Sequence, residues 1–210
     1  MEDAAQPPEP SPDDPWVVRR ALGRATRADH ARLNRHPLVT GITRPGFPLV
    51  RYGMILRAYH RFYAAMEPAL LECIGRLGVP FDYVPRVKLP WLRSDLQALS
   101  LAPPGAPARG LFEPVEDSDL IGILYAIEGS TVGGQVVARH LAEHLGLGPD
   151  TGARFFNAYG PGTTDRWREF CAFAESIAGD SARCRRAATA AGSVFAALEN
   201  LLDDCQRRTS

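Results

Sequence analysis

The sequence predicts an all-α protein, a single-domain bundle of six to eight helices. Three observations carry that expectation. Apolar residues recur at spacings of three and four along most of the chain, the period of a helix with one buried face. No run of alternating apolar and polar residues marks out a strand. Glycine, proline and short polar clusters fall where the periodic segments begin and end. With 210 residues, the chain is long enough to bury roughly 70% of its unfolded surface in one core.

The elements follow in order. Residues 1–15 hold five prolines, five acidic side chains and no basic ones, and are expected to be a disordered tail before a helical domain over 16–205. Asp14-Pro15 reads as an N-cap and first helical position for a helix over Trp16 to Arg35. Val18, Leu22, Thr26, His30 and Leu33 share its apolar face. A second helix is predicted over Val50 to Leu77, stopped by Gly78, with a stripe of Val50, Met54, Ala58, Phe62, Ala65 and Ala69 and a kink at Pro68. A short helix opens at Pro90 and runs to Leu99. Residues 100–117 contain four prolines and two glycines and read as a loop. Asp117 or Ser118 can cap a helix that ends before Gly146. Thr163-Thr164-Asp165 can cap another, from Asp165 to Ala178. Asp180-Ser181 can cap the last, to Cys205, with Ala187, Ala191, Val194, Leu198 and Leu201 facing the core.

Composition removes several classes of function. Lys+Arg and Asp+Glu both number 24, so there is no basic excess of the kind nucleic-acid binding requires. No 18-residue apolar run and no positively charged leader are visible, so neither a membrane span nor a signal peptide is expected and the protein reads as cytoplasmic. Cys73, Cys171, Cys184 and Cys205 form no CxxC pair and read as small buried residues of a reducing compartment.

Two constellations stand out. His30 lies on an otherwise apolar helical face, where burial would keep an imidazole neutral and able to donate a nitrogen lone pair. Gly129-Ser130-Thr131-Val132-Gly133-Gly134-Gln135 interrupts a segment that otherwise reads as helix. Each interior glycine costs about 1 kcal/mol against alanine, so three in six residues need a compensating close approach, either by a flat ligand or by another helix. A phosphate loop is a poor alternative, because Gln135 stands where a Walker lysine is required and the glycines lack the dinucleotide spacing. His140 and His144 form an i, i+4 pair, but Leu141 replaces the glutamate of the metalloprotease helix, and a solvated face is the expectation there. No Gly-x-Ser-x-Gly frame surrounds Ser130.

Taken together, two segments resemble the haem oxygenase family. Ala25-Thr26-Arg27-Ala28-Asp29-His30 is similar to the family's Ala-Thr-x-x-x-His proximal helix. Leu124-Tyr125-Ala126-Ile127-Glu128-Gly129-Ser130-Thr131-Val132-Gly133-Gly134-Gln135-Val136 is similar to its glycine-rich distal helix, in the Glu-Gly-Ser form of bacterial, bacteriophytochrome-associated members. Pro90–Leu96, and Phe155-Phe156 followed by Trp167, also fit, so the resemblance spans about Val17 to Leu202.

The resemblance implies haem as substrate and cofactor, cleaved with O2 and an external electron donor to biliverdin, CO and iron. His30 is then the iron ligand. Gly129, Gly133 and Gly134 crowd the haem with backbone, and Ser130 sits where mammalian-type members carry Asp. Arg168 and Arg24 are the expected partners of the propionates. A reductase or ferredoxin is the implied electron donor and a bacteriophytochrome the implied acceptor of the pigment. A haem carrier or sensor on the same fold is the alternative. A thiaminase-like enzyme would need an activated cysteine, for which none of the four has an obvious neighbour.

Overall fold

The computed structural model describes residues 16–105, 107–108 and 114–207; the expected tail at 1–15 lies outside them. Seven α-helices follow in order: α1 (Val17–Asn34), α2 (Leu49–Leu77), α3 (Leu89–Ala98), α4 (Asp117–Leu145), α5 (Arg154–Asn157), α6 (Thr163–Ala174) and α7 (Ser181–Arg207). Three single 3-10 turns lie between them, at Val84–Arg86, Gly160–Gly162 and Glu175–Ile177. Among the described residues there is no strand.

Helix ends follow the glycines. Gly78 and Gly146 take left-handed conformations (φ 61° and 67°) that close α2 and α4. A residue with a Cβ is strained at such angles, so the chain stops there.

Helix starts depend less on local residues than expected. Asp180 does cap α7, accepting from the amides of Ala182 and Arg183 at 3.0 Å. At α4 the cap is Glu116 rather than Asp117 or Ser118. Glu116 and Asp119 form a reciprocal capping box, the Asp119 carboxylate accepting from the Glu116 amide at 3.0 Å. The expected Asp14-Pro15 start of α1 lies outside the described residues; Trp16 makes no side-chain cap, and the Val18 amide donates to Glu175 at 2.9 Å. Glu67 on α2 likewise accepts from the amides of Lys88 (2.6 Å) and Leu89 (3.1 Å) at the start of α3. Asp95 on α3 accepts from Arg154 (2.6 Å) and Phe155 (2.8 Å) at the start of α5. Thr163 opens α6 without a side-chain cap.

The core is arranged around α7, which packs against α4, α1 and α2; α4 also meets α5 and α6, and α2 meets α3. On α1 the structure buries Val18, Leu22, Thr26 and Leu33, the face that periodicity marks. On α2 it follows the expected stripe only in part: Ala58 and Phe62 are buried, but the buried surface extends beyond the stripe. Val50 is exposed, while Ile55, Leu56, Tyr63, Met66 and Leu70 are buried. The reason is that α2 is covered from two sides, by α7 and by α3, so its buried surface is broad and includes tyrosines. Contrary to expectation, α4 is long and apolar enough to cross a membrane by length and composition. Its apolar side chains are consumed by α7, α6 and α5.

The crossing of α4 and α7 is set by Gly122. A Cβ built there would lie 2.0 Å from the Ala187 carbonyl oxygen, so the two backbones approach closer than any side chain permits. Gly122→Ala is therefore expected to destabilise the fold by about 1–3 kcal/mol through overpacking, read as a lower urea midpoint at unchanged m-value.

Candidate functional site

A cavity of about 340 Å³ is lined by α1, α2, α4, α5, α6 and α7 together with the loop after α1. That volume falls within the range of small-molecule sites. Its walls are mainly apolar and aromatic, including Ile42, Ile55, Phe155, Phe156, Trp167 and Phe195.

From α1 comes His30. Burial holds its imidazole below the usual 6.5, so the ring is neutral at neutral pH and has a lone pair to give. Phe195 meets it edge to face, with centroids 5.8 Å apart. Asn34, one turn on, places Nδ2 3.4 Å from His30 Nδ1. The amide can serve either tautomer: Nδ2 donates to a bare Nδ1, and Oδ1, after a flip, accepts from a protonated one.

The same face of α1 continues as Arg19, Gly23, Arg24 and Arg27. Arg24 and Arg27 are exposed residues that also line the cavity, so cationic residues border it.

From α4 come Gly129, Ser130, Gly133 and Gly134, all lining the cavity. The glycines divide by role. A Cβ at Gly134 would sit 3.0 Å from the Phe156 carbonyl oxygen, so this position serves the close packing of α4 on α5. A Cβ at Gly129 would meet only Trp167, at an ordinary 3.5 Å. Packing does not demand glycine at 129, and the bare backbone there faces the cavity.

The Ser130 hydroxyl donates to the Ile127 carbonyl at 2.8 Å, and Tyr63 lines the same cavity. Burial, with Glu67 nearby, raises Tyr63 well above the ordinary phenol value, and burial pushes Tyr59 to about 12. Both phenols on this wall therefore stay protonated and able to donate.

The structure thus brings His30, Arg24, Gly129, Ser130, Gly133 and Gly134 to one cavity. It does not bring Arg168 there. Trp167 turns inward, so the next residue, about 100° further round α6, points away. Arg168 is two-thirds exposed and pairs with Asp165 at 3.4 Å. The remaining histidines stand elsewhere. His36 pairs with Asp203 at 3.1 Å, and His60 is buried on α2 with its pKa lowered by burial and by Arg93. Burial pushes the Cys171 thiol up to about 12 and raises Cys73 and Cys184, which disfavours a thiolate nucleophile at these positions.

Sequence reasoning missed Tyr59, Tyr63, Asn34, Arg19 and Arg27. The α1 residues could have been found, since 19, 23, 27, 30 and 34 follow helical spacing from His30. It also missed a buried ionic cluster directly behind the glycine segment. Glu128 is fully buried and receives Lys88 at 2.6 Å and Arg86 at 2.7 Å. The Lys88 ammonium also donates to the Arg86 carbonyl and the Tyr159 hydroxyl, both at 3.1 Å, which uses its three protons. Arg86 reaches on to Glu169 at 2.6 Å.

Comparison with known proteins agrees with this geometry. No family model matches the sequence. The structure superposes on a heme oxygenase from Neisseria meningitidis with a TM-score of 0.74, at 20% identity over 90% of this chain and 91% of that one. It also superposes on the heme oxygenase of Leptospira interrogans with a TM-score of 0.76, at 15% identity over 89% and 98%. The chain therefore has the heme oxygenase fold. In sequence it is similar to a heme oxygenase from Xanthomonas campestris pv. campestris, 38% identical over 93 residues. That match spans 43% of this chain and about half (52%) of the relative.

Removing Glu128 leaves two buried cations without their shared partner. Glu128→Ala is expected to lower stability by about 3–5 kcal/mol. The Glu128→Gln/Lys88→Met pair is expected to lose less than the two single changes summed, as read by urea denaturation in a double-mutant cycle.

Proposed function

We propose that this chain is a haem oxygenase, converting haem, O2 and externally supplied electrons to biliverdin, CO and ferrous iron. The observation that carries the reading is a neutral imidazole on α1 and a side-chain-free stretch of α4 lining one apolar cavity. The residues present suit a haem. His30 offers an uncharged nitrogen, the aromatic and aliphatic walls suit a flat macrocycle, and Gly129 and Gly133 leave room against the main chain. The similarity in fold and in sequence to heme oxygenases supports the same reading.

When bound, the iron porphyrin supplies the oxygen chemistry. The chain's own residues hold, orient and shield it. His30 would hold the iron, with Asn34 positioned to fix its ring. Arg24, with Arg19 and Arg27, is the proposed partner of the propionates on the α1 side, in place of the outward-facing Arg168. Such pairing would orient the haem within the cavity. Phe155, Phe156 and Trp167 exclude water from the reacting edge. Tyr63 Oη keeps its proton on the wall that also carries Ser130 Oγ, so these two hydroxyls would hold a water and offer it a proton where mammalian-type members carry a carboxylate. A reductase or ferredoxin is the proposed electron source. A bacteriophytochrome is the proposed recipient of the biliverdin, on the likeness of Glu128-Gly129-Ser130 to that bacterial subgroup.

The decisive assay is titration of purified protein with haemin followed by ascorbate or a reductase system. Expected are one haem per chain, then loss of the Soret band with rising biliverdin absorbance. A complex whose spectrum does not change under reductant and air would instead be a carrier. His30→Ala should abolish histidine-ligated haem spectra; a variant with unaltered spectra would remove His30 from its role. Gly133→Leu should block haem uptake or turnover while circular dichroism shows unchanged helix content, and normal turnover by it would refute close approach to the α4 backbone.

A further inference from the structure

The last two turns of α4 carry a group that the haem reading does not use. His140, Glu143 and His144 lie at i, i+3 and i+4 and present one ligand atom each, all within 4.8 Å of one another. We propose that these three side chains form a binding site for a borderline divalent metal ion of the zinc, nickel or copper class, separate from the haem cavity.

The geometry is close to what such an ion needs. His140 Nδ1 and His144 Nε2 are 3.5 Å apart. Two nitrogens each about 2.05 Å from a zinc ion, at about the tetrahedral angle, lie about 3.3 Å apart. The imidazole pair is therefore already at the spacing of a chelate. The two rings face one another at 31° with centroids 5.5 Å apart, so little rotation is required. Glu143 Oε2 stands 4.0 Å from His144 Nε2, and its side chain is 63% exposed, free to close the remaining distance.

The residue order supports the same conclusion. Leu141 after the first histidine excludes the usual zinc-helix pattern, but His140-Leu141-Ala142-Glu143-His144 has the inverted spacing His-x-x-Glu-His, in which both histidines ligate on one helix face. Leu141 is buried, which anchors the helix while the three ligands turn outward. The site also sits at the C-terminal end of a 29-residue helix, where the unpaired carbonyls favour a cation. Imidazole donors select zinc, nickel or copper over magnesium or calcium. With three protein ligands, water completes the shell. The ion then staples the final turns of α4 ahead of Gly146.

The test uses tag-free, haem-free full-length protein and zinc chloride in isothermal titration calorimetry. One ion per chain with micromolar affinity is expected. His140→Ala or His144→Ala should weaken it at least about tenfold, since each removes one of three protein ligands. Glu143→Gln should weaken it less, and His30→Ala should bind as the parent does. Circular dichroism checks each fold, and imidazole nitrogen NMR of the unmutated chain reads the site directly, with the His140 and His144 signals shifting together as zinc is added. No saturable uptake in the micromolar range, or uptake that survives loss of both histidines, overturns the proposal. Loss in His30→Ala alone would place the ion in the haem cavity and overturn it equally. Neither result bears on haem turnover, which is measured separately.

Discussion

The fully buried carboxylate of Glu128, held between Lys88 and Arg86, is the constraint on which the rest of the structure turns. It lies one residue before Gly129, on the helix that presents bare backbone to the cavity. A shift of α4 by one residue would rotate every side chain by about 100°, carrying Ser130 and the glycines away from the cavity. Such a shift would also pull Glu128 away from two cations that have no water to replace it. Desolvating three charges contributes little net stability. Its effect is to make every other register of α4 costly. The same cations arrive on the short Val84–Arg86 turn and the residue before α3, so one ionic knot ties α2, α3, α4 and α6 together.

The glycines of α4 then follow from two different demands. Gly122 and Gly134 are required by neighbouring backbone, from α7 and α5. Gly129 is not, because Trp167 would accept a methyl group beside it. One helix thus spends its weak intrinsic propensity twice, on close packing at two positions and on an open wall between them. The close crossing with α7 keeps that wall in place: α7 carries Phe195 against His30 and small residues against Gly122, so the helices that supply the imidazole and the glycine wall are referenced to a single third one.

Much of this was legible in the sequence. The all-helical class, the extents of α1, α2 and α3, and the glycine stops at 78 and 146 follow from periodicity and from residues whose backbone preference is local. His30 and the Gly129–Gly134 run were visible because each contradicts its surroundings: a polar ring on an apolar face, and costly glycines inside a helix. What stayed hidden was long-range. Glu175, Glu67 and Asp95 accept from the first amides of helices other than their own, so the residues beside α1, α3 or α5 could not reveal what holds those starts. Val50 looked like core because α2 was read as having one buried face when it has two. Arg168 looked like a ligand partner until the inward turn of Trp167 fixed the orientation of α6. Lys88 and Arg86 lie far from Glu128 in sequence, and only the fold shows that the two cations share one buried carboxylate.

The cap on α1 has a bearing on how the protein is made. The amide of Val18 is satisfied by Glu175, and the main packing partner of α1 is α7, which begins at Ser181. Helix α1 therefore precedes by well over a hundred residues the helix it packs against most. Contacts of such sequence separation close late, because the entropy of joining distant segments must be met before they reward it. The imidazole on α1 and the glycine wall on α4 consequently meet through contacts distant in sequence, and α1 alone cannot assemble the pocket.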